Sequence, residues 1–473
     1  MPGSALRVDK ERFALGLLLL AIAFSGCLIP AQSDTWWQLR AGQEMWHSGH
    51  VMLHDEFTHT VAGQRWPNHE WLTQVVFYAA YSMGGMPLLT LLCAVAITLA
   101  WTFVVFLSPG KPVWRVAVVG MAVATSSPGW SLRPQVLTLA MCAATLWILV
   151  RRRPLWLLPP LFLVWANLHG AVALGGVLVA AAWIATVLRD RAALPKLTVV
   201  GALCLLATAA TPLGISLWLE IPGSLARLHA YGVSEWRAPG FSQLDHLGFW
   251  LTAAVAFTLA LVRRQKLRSI DVLTLVNSTG LLFLLATRSE RNIPPFLVCA
   301  APTIATLLQG QAIHEGRAQE PARRLQMNAV VLAASVLAAA SFVAYAWRTP
   351  LPRLGWSPVA DSVIAAVSSC PGRLYNRYDE GGYLIWFMKD RKVFIDNRQD
   401  PFPPELVLEH IEVERTGDYH AMFDRYDIGC SLTLAGSPLA IRLKQDGWRE
   451  IDATALWKVY RRPDDLREKA QGG

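Results

Sequence analysis

The chain has 473 residues, of which 53% are hydrophobic and only 16% charged, against the roughly one quarter charged residues of soluble domains. Its apolar residues fall in blocks of about 15 to 22, close to the ~20 needed to cross a bilayer's hydrocarbon core, which excludes a large water-soluble core. The net charge of +9 comes from short basic clusters abutting those blocks, the pattern of cytoplasmic loops, so no nucleic-acid partner is expected.

In chain order the predicted spans are 13–32, 87–107, 113–128, 134–150, 155–168, 170–188, 197–212, 247–263, 270–287, 293–309 and 327–346. The first follows Arg7, Lys10 and Arg12, and its length and lack of an A-x-A site predict an uncleaved span rather than a signal peptide. The stretch from Leu155 to Leu188 would be about 51 Å long as one helix against a core of about 30 Å, so it divides into two minimal spans turning at Asn167-Leu168-His169-Gly170. Charge supports that division. Arg151, Arg152 and Arg153 precede the stretch and Arg189, Arg191 and Lys196 follow it, so both flanks are expected in the cytoplasm. Lys111 with Arg115, the run Arg263 to Arg268, and Arg317 with Arg323 and Arg324 fit the same orientation, N-terminus in and C-terminus out.

The expected fold is therefore an α-helical polytopic membrane protein of about 11 transmembrane helices with a small C-terminal α/β exoplasmic domain. Residues 1–348 form the helical domain, with a long first exoplasmic loop at 33–86, and residues 349–473 the soluble tail domain. An amphipathic stretch from Glu70 to Met83 predicts a short interfacial helix within that loop. In the tail the alternating runs RLYN, KVFID, CSLTL and WKVY predict strands, and the polar 464–473 end predicts disorder. Five cysteines fall in apolar blocks; Cys370 and Cys430 lie in the polar tail and could pair if the tail is exoplasmic, a pairing the sequence leaves open.

This orientation puts ten of the eleven histidines and most acids outside, and chemistry with them. Asp34, followed by Trp36 and Trp37, is a candidate general base or metal ligand at headgroup depth, although a hydrated residue at a helix end would look the same. Asp55, Glu56, His69 and Glu70 add acids and imidazoles that could converge with Asp34 on an acceptor hydroxyl or a divalent cation, in a spacing that matches no metal motif. Glu70 is equally explained as an acid in a first helical turn. Arg133 and Gln135 open the fourth span, while Arg288, Arg291 and Asn292 precede the tenth. Two arginines at headgroup depth suit a lipid phosphate, and snorkelling explains each singly. Asn167 and His169 could line the same cavity or simply form the turn. In the tail, Gly381 and Gly382 belong to no phosphate-binding loop and are read as turns or helix packing.

The sequence resembles bacterial polytopic proteins related to the GT-C glycosyltransferases, which use lipid-phosphate sugars. The resemblance runs through Asp34-Thr35-Trp36-Trp37-Gln38-Leu39-Arg40-Ala41-Gly42, Asp55-Glu56-Phe57-Thr58, His69-Glu70-Trp71-Leu72, Arg133-Pro134-Gln135, Trp165 to Gly170, Ser234-Glu235-Trp236, Arg291-Asn292-Ile293-Pro294 and, in the tail, Gly381 to Leu384 and Phe394-Ile395-Asp396. It implies a multi-pass protein of the bacterial inner membrane that moves a sugar from a polyprenyl-phosphate donor to an exoplasmic acceptor of unspecified identity. The superfamily's acid at the start of the first loop maps onto Asp34. Many members carry two acids there, whereas Ser33-Asp34-Thr35 offers one. On this reading Asp34 is the catalytic base, His69 and Glu70 assist it, Arg133 and Arg291 grip the donor phosphate, and Arg40, Asp55, Glu56, Gln135, Asn167, His169 and Asn292 contribute to substrate binding. A transporter or flippase of lipid-linked sugars, and a non-catalytic membrane assembly protein, are the alternatives.

Overall fold

A computed structural model describes residues 8–219, 234–309, 321–348 and 359–463. Arg317 and the polar 464–473 end lie outside the described residues. The chain divides into two compact units: a helical unit at 8–29, 83–215, 234–309 and 321–348, and a loop–tail unit at 30–82, 216–219 and 359–463.

Among the described residues the helices run, in chain order, α1 (Lys10–Gly26), α2 (Ser33–Ser48), α3 (Trp71–Leu107), α4 (Pro112–Ser126), α5 (Gln135–Val150), α6 (Leu158–Leu168), α7 (Ala173–Arg189), α8 (Leu194–Thr208), α9 (Leu244–Val262), α10 (Ile270–Ala286), α11 (Ile293–Leu308) and α12 (Ala322–Arg348). Every predicted apolar block coincides with a helix of the helical unit. Local signals set the boundaries: the Asp9 carboxylate caps α1 by accepting from Arg12 N at 2.8 Å, and prolines open α4, α6, α8 and α11, where a missing N–H costs nothing. Between α6 and α7 the chain turns at His169, whose backbone is extended, as the charge count required.

The helical unit is apolar on its outer surface as well as in its interior. Its central helix α11 is buried on almost every face, while Leu99, Phe106, Leu188, Leu206, Leu261 and Leu337 on outer helices are exposed. A surface that apolar belongs in lipid. Among the described residues, three runs are long and apolar enough, by length and composition, to cross a membrane: Trp71–Leu107, Gly170–Arg189 and Ala322–Arg348. One end of the unit is stitched through basic groups. Arg115 pairs with Glu11 at 2.8 Å, Arg152 with Asp271 at 3.1 Å, Arg151 donates to Phe106 O, and Lys266 Nζ donates to Thr306 O at 2.9 Å. Three of the clusters assigned to one side from charge, those of Arg115, Arg151 with Arg152, and Lys266, thus tie helix ends together.

Expectations for the first block and for the segment after it need correction. The first block, expected to reach residue 32, stops as a helix at Gly26, and the segment from Ser33 is not a loop but the helix α2. Reciprocal bonds between Gln32 and Thr35 start α2, and Gly49 in the left-handed conformation ends it. Trp36 and Trp37, expected at a lipid interface, are only 3% and 6% exposed within the loop–tail unit. The amphipathic helix expected from Glu70 to Met83 is the first part of α3, which breaks at Gly84 and Gly85 just before Pro87.

The tail is the expected small α/β domain. Its strands are β1 (Arg373–Asn376), β2 (Ile428–Leu434), β3 (Arg449–Ala453) and β4 (Trp457–Arg461), in the order β1-β2-β4-β3, with β1 parallel to β2 and the other pairs antiparallel. Its helices are α13 (Asp361–Ser369), α14 (Tyr378–Phe387), α15 (Pro404–Thr416), α16 (His420–Arg425) and α17 (Pro438–Gln445). A disulfide joins Cys370 to Cys430 in β2. RLYN, CSLTL and WKVY are strands, but KVFID is not. Its backbone serves the first segment instead: Val393 N donates to Phe57 O and His59 N to Val393 O, both at 3.0 Å, while Phe394 N donates to the Asn376 carboxamide. Tyr375, Phe394, Phe402, Phe423, Trp448 and Tyr460 form the core, and Val61 of the first segment packs into it.

Candidate functional site

The tail stretch Asp396 to Asp400 meets three of the residues predicted from the first segment, Asp34, Asp55 and His69. Asn397 Nδ2 donates to Asp34 Oδ1, which also accepts from Trp37 Nε1 at 3.3 Å. Arg398 donates through Nε and Nη2 to Asp396 at 2.8 and 2.7 Å, and through Nη2 to Asp55. Asp400 lies 3.8 Å from His69 Nδ1, and Glu70 lies 3.8 Å from His69 Nε2. Gln38, one turn after Asp34 on α2, donates to Glu70 Oε2 at 3.2 Å. Asp34, in the first turn of α2, is only 8% exposed, so it is not a hydrated residue; Glu70, also 8% exposed, directly precedes α3.

Two glycines allow this convergence. A Cβ on Gly382 would lie 2.4 Å from Ser33 O and 2.8 Å from the Trp37 ring, and one on Gly381 would lie 2.1 Å from Ile395 O. Only glycine lets α14 pack against both α2 and the 394–398 strip, which is the packing role expected of the pair.

Asp55 is occupied by structure. Besides Arg398 it accepts from Thr58 N at 3.1 Å and Thr58 Oγ1 at 2.7 Å. Arg398, Asp55 and Asp396 side chains are fully buried, and the rings of Trp66 and Phe57 lie 4.8 and 5.0 Å from the guanidinium. Arg40 pairs with Glu44 at 2.8 Å along α2, and Glu56 is exposed. Among the described residues no group of three His, Cys, Asp or Glu side chains is arranged to hold a metal ion. Asp34 Oδ1 accepts from the N–H groups of Trp37 and Asn397, which compete with a cation for that oxygen.

A second cluster belongs to the helical unit. Arg133 pairs with Glu235, and Arg291 lies 5.1 Å from the Trp236 ring. With the Gln135 carboxamide turned so that donors meet acceptors, its oxygen accepts from Arg291 Nη2 at 2.6 Å and from Arg133 Nη2 and Nε at 3.1 and 3.2 Å. Burial works to raise the Glu235 carboxyl, but the charges of Arg133 and Arg291 outweigh it and hold the acid below its ordinary value. The two guanidiniums converge on the Gln135 oxygen as planar donors of the kind suited to phosphate oxygens. Sequence reasoning missed Glu235 as the partner.

The remaining predicted residues make local bonds. His169 Nδ1 lies 2.7 Å from Thr138 Oγ1, which also accepts from Trp165 Nε1 at 3.0 Å. Asn167 donates to Leu163 O and Ala210 O at 2.9 and 3.0 Å, and Asn292 to Leu285 O at 3.3 Å. Asn397 and Asp400 were not singled out from sequence; the one available signal is a polar run placed directly between the apolar VFI and Pro401.

No protein-family model and no curated protein matches the sequence. Solved structures do match. The archaeal oligosaccharyltransferase AglB from Archaeoglobus fulgidus, solved with an inhibitory peptide and a dolichol-phosphate, is similar with a TM-score of 0.60 at 10% identity, over 90% of this chain and 70% of its own. ArnT from Cupriavidus metallidurans is similar with a TM-score of 0.55 at 12% identity, both in the apo state, over 96% of this chain and 98% of its own, and bound to undecaprenyl phosphate, over 96% and 97%. At such identities the likeness is one of architecture, and the chain has the GT-C-like fold that its motifs resemble.

Proposed function

We propose that the chain is a membrane glycosyltransferase that moves a sugar from a polyprenyl-phosphate-linked donor to an exoplasmic acceptor. The observation that carries the reading is the pair of guanidiniums gathered on Gln135, in a fold whose solved examples hold dolichol-phosphate or undecaprenyl phosphate. In this reading Asp34 takes the proton of the acceptor as the acceptor atom attacks the anomeric carbon and the carbon–oxygen bond to phosphate breaks with inversion. The polyprenyl phosphate leaves, and Arg133 and Arg291 stabilise the negative charge growing on it. His69 and Glu70 assist Asp34 by fixing the polar rim around it.

The same reading takes all eleven predicted blocks as spans, with the stitched basic end in the cytoplasm and the loop–tail unit outside. The Cys370–Cys430 disulfide favours it, because such bonds persist in oxidising compartments.

The test begins by identifying the headgroup of the co-purifying lipid by mass spectrometry, then measures transfer from polyprenyl-phosphate sugars extracted from the source membranes. Asp34→Asn is expected to lower the rate by about 10²- to 10⁴-fold with normal insertion, and Arg133→Ala with Arg291→Ala to abolish capture of the lipid phosphate. Transfer by Asp34→Asn at the wild-type rate removes Asp34 from the chemistry. A cytosolic location for Trp36 by labelling of intact cells removes the topology with it.

A further inference from the structure

The tail domain touches the first segment most pointedly at Asn397, a residue with no role so far. Its two neighbours turn the other way: the side chains of Asp396 and Arg398 are fully buried with Asp55, and Arg398 N donates to Asp396 Oδ1 at 2.9 Å. With both flanking residues pinned, the backbone at 397 has little freedom, and the Asn397 carboxamide is delivered to Asp34 Oδ1. The other donor on that oxygen, Trp37, belongs to the same frame. Its ring meets Trp66 edge-on at 5.8 Å, and Trp66 lies 4.8 Å from the Arg398 guanidinium. The circuit closes on itself, from Arg398 through Trp66 and Trp37 to Asp34, and back through Asn397. Asn397 Oδ1 is buried with no hydrogen-bond partner, so the contact of its nitrogen with Asp34 is what orients the amide.

We propose that Asn397 is a positioning residue for sugar transfer: with Trp37 it fixes the plane of the Asp34 carboxylate and keeps it ionised, ready to receive the acceptor's proton. The inference rests on the reading of Asp34 as the base. It gives the tail domain a part in the chemistry, since that domain supplies an N–H donor to the reacting carboxylate. Hydrogen bonds to a carboxylate favour its charged form. Other titratable groups share this corner. The Tyr378 hydroxyl is pushed well up by burial and then by the charge of Asp34, so it stays protonated; Asp396 is neutralised by Arg398; Glu70 is held by Gln38 one turn along α2, next to His69.

The test is the pH dependence of dicyclohexylcarbodiimide labelling at Asp34 in the full-length protein, read by peptide mass spectrometry, because the reagent attacks protonated carboxyls. In Asn397→Ala the pH of half-labelling is expected to rise by about one unit, and in the isosteric Asn397→Asp by more, since a second carboxylate then faces the first. Transfer should fall about tenfold in kcat with an unchanged KM for the lipid donor. A merely structural role would alter protease resistance without moving the labelling midpoint. Should Asn397→Ala fail to fold, Asn397→Asp carries the test. An unmoved midpoint and rate in a folded variant overturns the proposal while an inactive Asp34→Asn leaves the base in place. Full activity in Asp34→Asn removes both readings.

Discussion

The helical unit and the loop–tail unit solve burial in opposite ways. In the first, the interior is apolar and the charged groups gather at helix ends, where Arg115, Arg152 and Lys266 tie neighbouring segments together. In the second, one guanidinium and two carboxylates sit at the centre, walled by aromatic rings and joining segments that are 343 residues apart. Hydropathy writes the first directly into local sequence. Complementary charge writes the second across the whole chain, and it fails completely when one partner is lost.

Arg398→Met should therefore be the most damaging single change. It leaves Asp55 and Asp396 buried, facing each other without a cation, and removing one partner of a buried pair costs about 3–5 kcal/mol. Limited proteolysis should find the loop–tail unit open while the apolar helices stay protected. A loss below about 1 kcal/mol, the scale of an exposed pair, would dissolve the contrast between the units.

The disulfide comes next. Cys370 and Cys430 are 60 residues apart, and closing a loop of that order contributes about 2–4 kcal/mol by restricting the unfolded chain. The double change Cys370→Ser with Cys430→Ser should lower the unfolding midpoint of the tail and make it insensitive to reductant. A tail equally stable with and without the bond would leave its apolar core sufficient alone.

This division explains what could be read in the sequence. Each apolar block became a helix, and the turn at His169 followed from length and flanking arginines, because a span's length and its basic ends are local properties. α2 escaped because a tryptophan pair after an apolar block looks the same whether it anchors a helix in lipid or packs inside a domain. KVFID alternates like a strand, yet its partner is the first segment rather than the sheet, and periodicity does not name a partner. Arg133 and Arg291 could be picked out one by one as candidate phosphate binders. Glu235 and Asn397 were not, because a residue whose worth lies in a contact 363 positions away carries no local mark.

Glu380, in the first turn of α14, sharpens the account of the loop–tail unit through pH. Burial pushes its carboxyl up to about 7, against the pull of Arg377 at 3.3 Å and with help from Asp379 and Glu414. A carboxyl with a higher value folded than unfolded binds its proton more tightly in the folded state. Its contribution is complete below about pH 4.5 and is lost as pH rises through 7. Glu380→Gln should match the wild type at pH 4 and exceed it at pH 8 by about 1–3 kcal/mol in chemical unfolding. Equal stability at pH 8 would mean that Arg377 fully compensates the buried charge.

The smallest effect belongs to the stitched end of the helical unit. Arg152 and Asp271 meet at 3.1 Å, but their side chains are 62% and 42% exposed, so water and salt screen the pair and ordering two side chains cancels much of what remains. Arg152→Ala is expected to change thermal stability in detergent by no more than about 0.5 kcal/mol, and the change should vanish at high salt. The side of the membrane on which residue 152 lies is a separate matter, since two further arginines flank the same block and keep its positive-inside signal. A loss near that of Arg398→Met would show that ionic stitching carries the helical unit as well, and that its apolar packing is less sufficient than the burial of α11 implies.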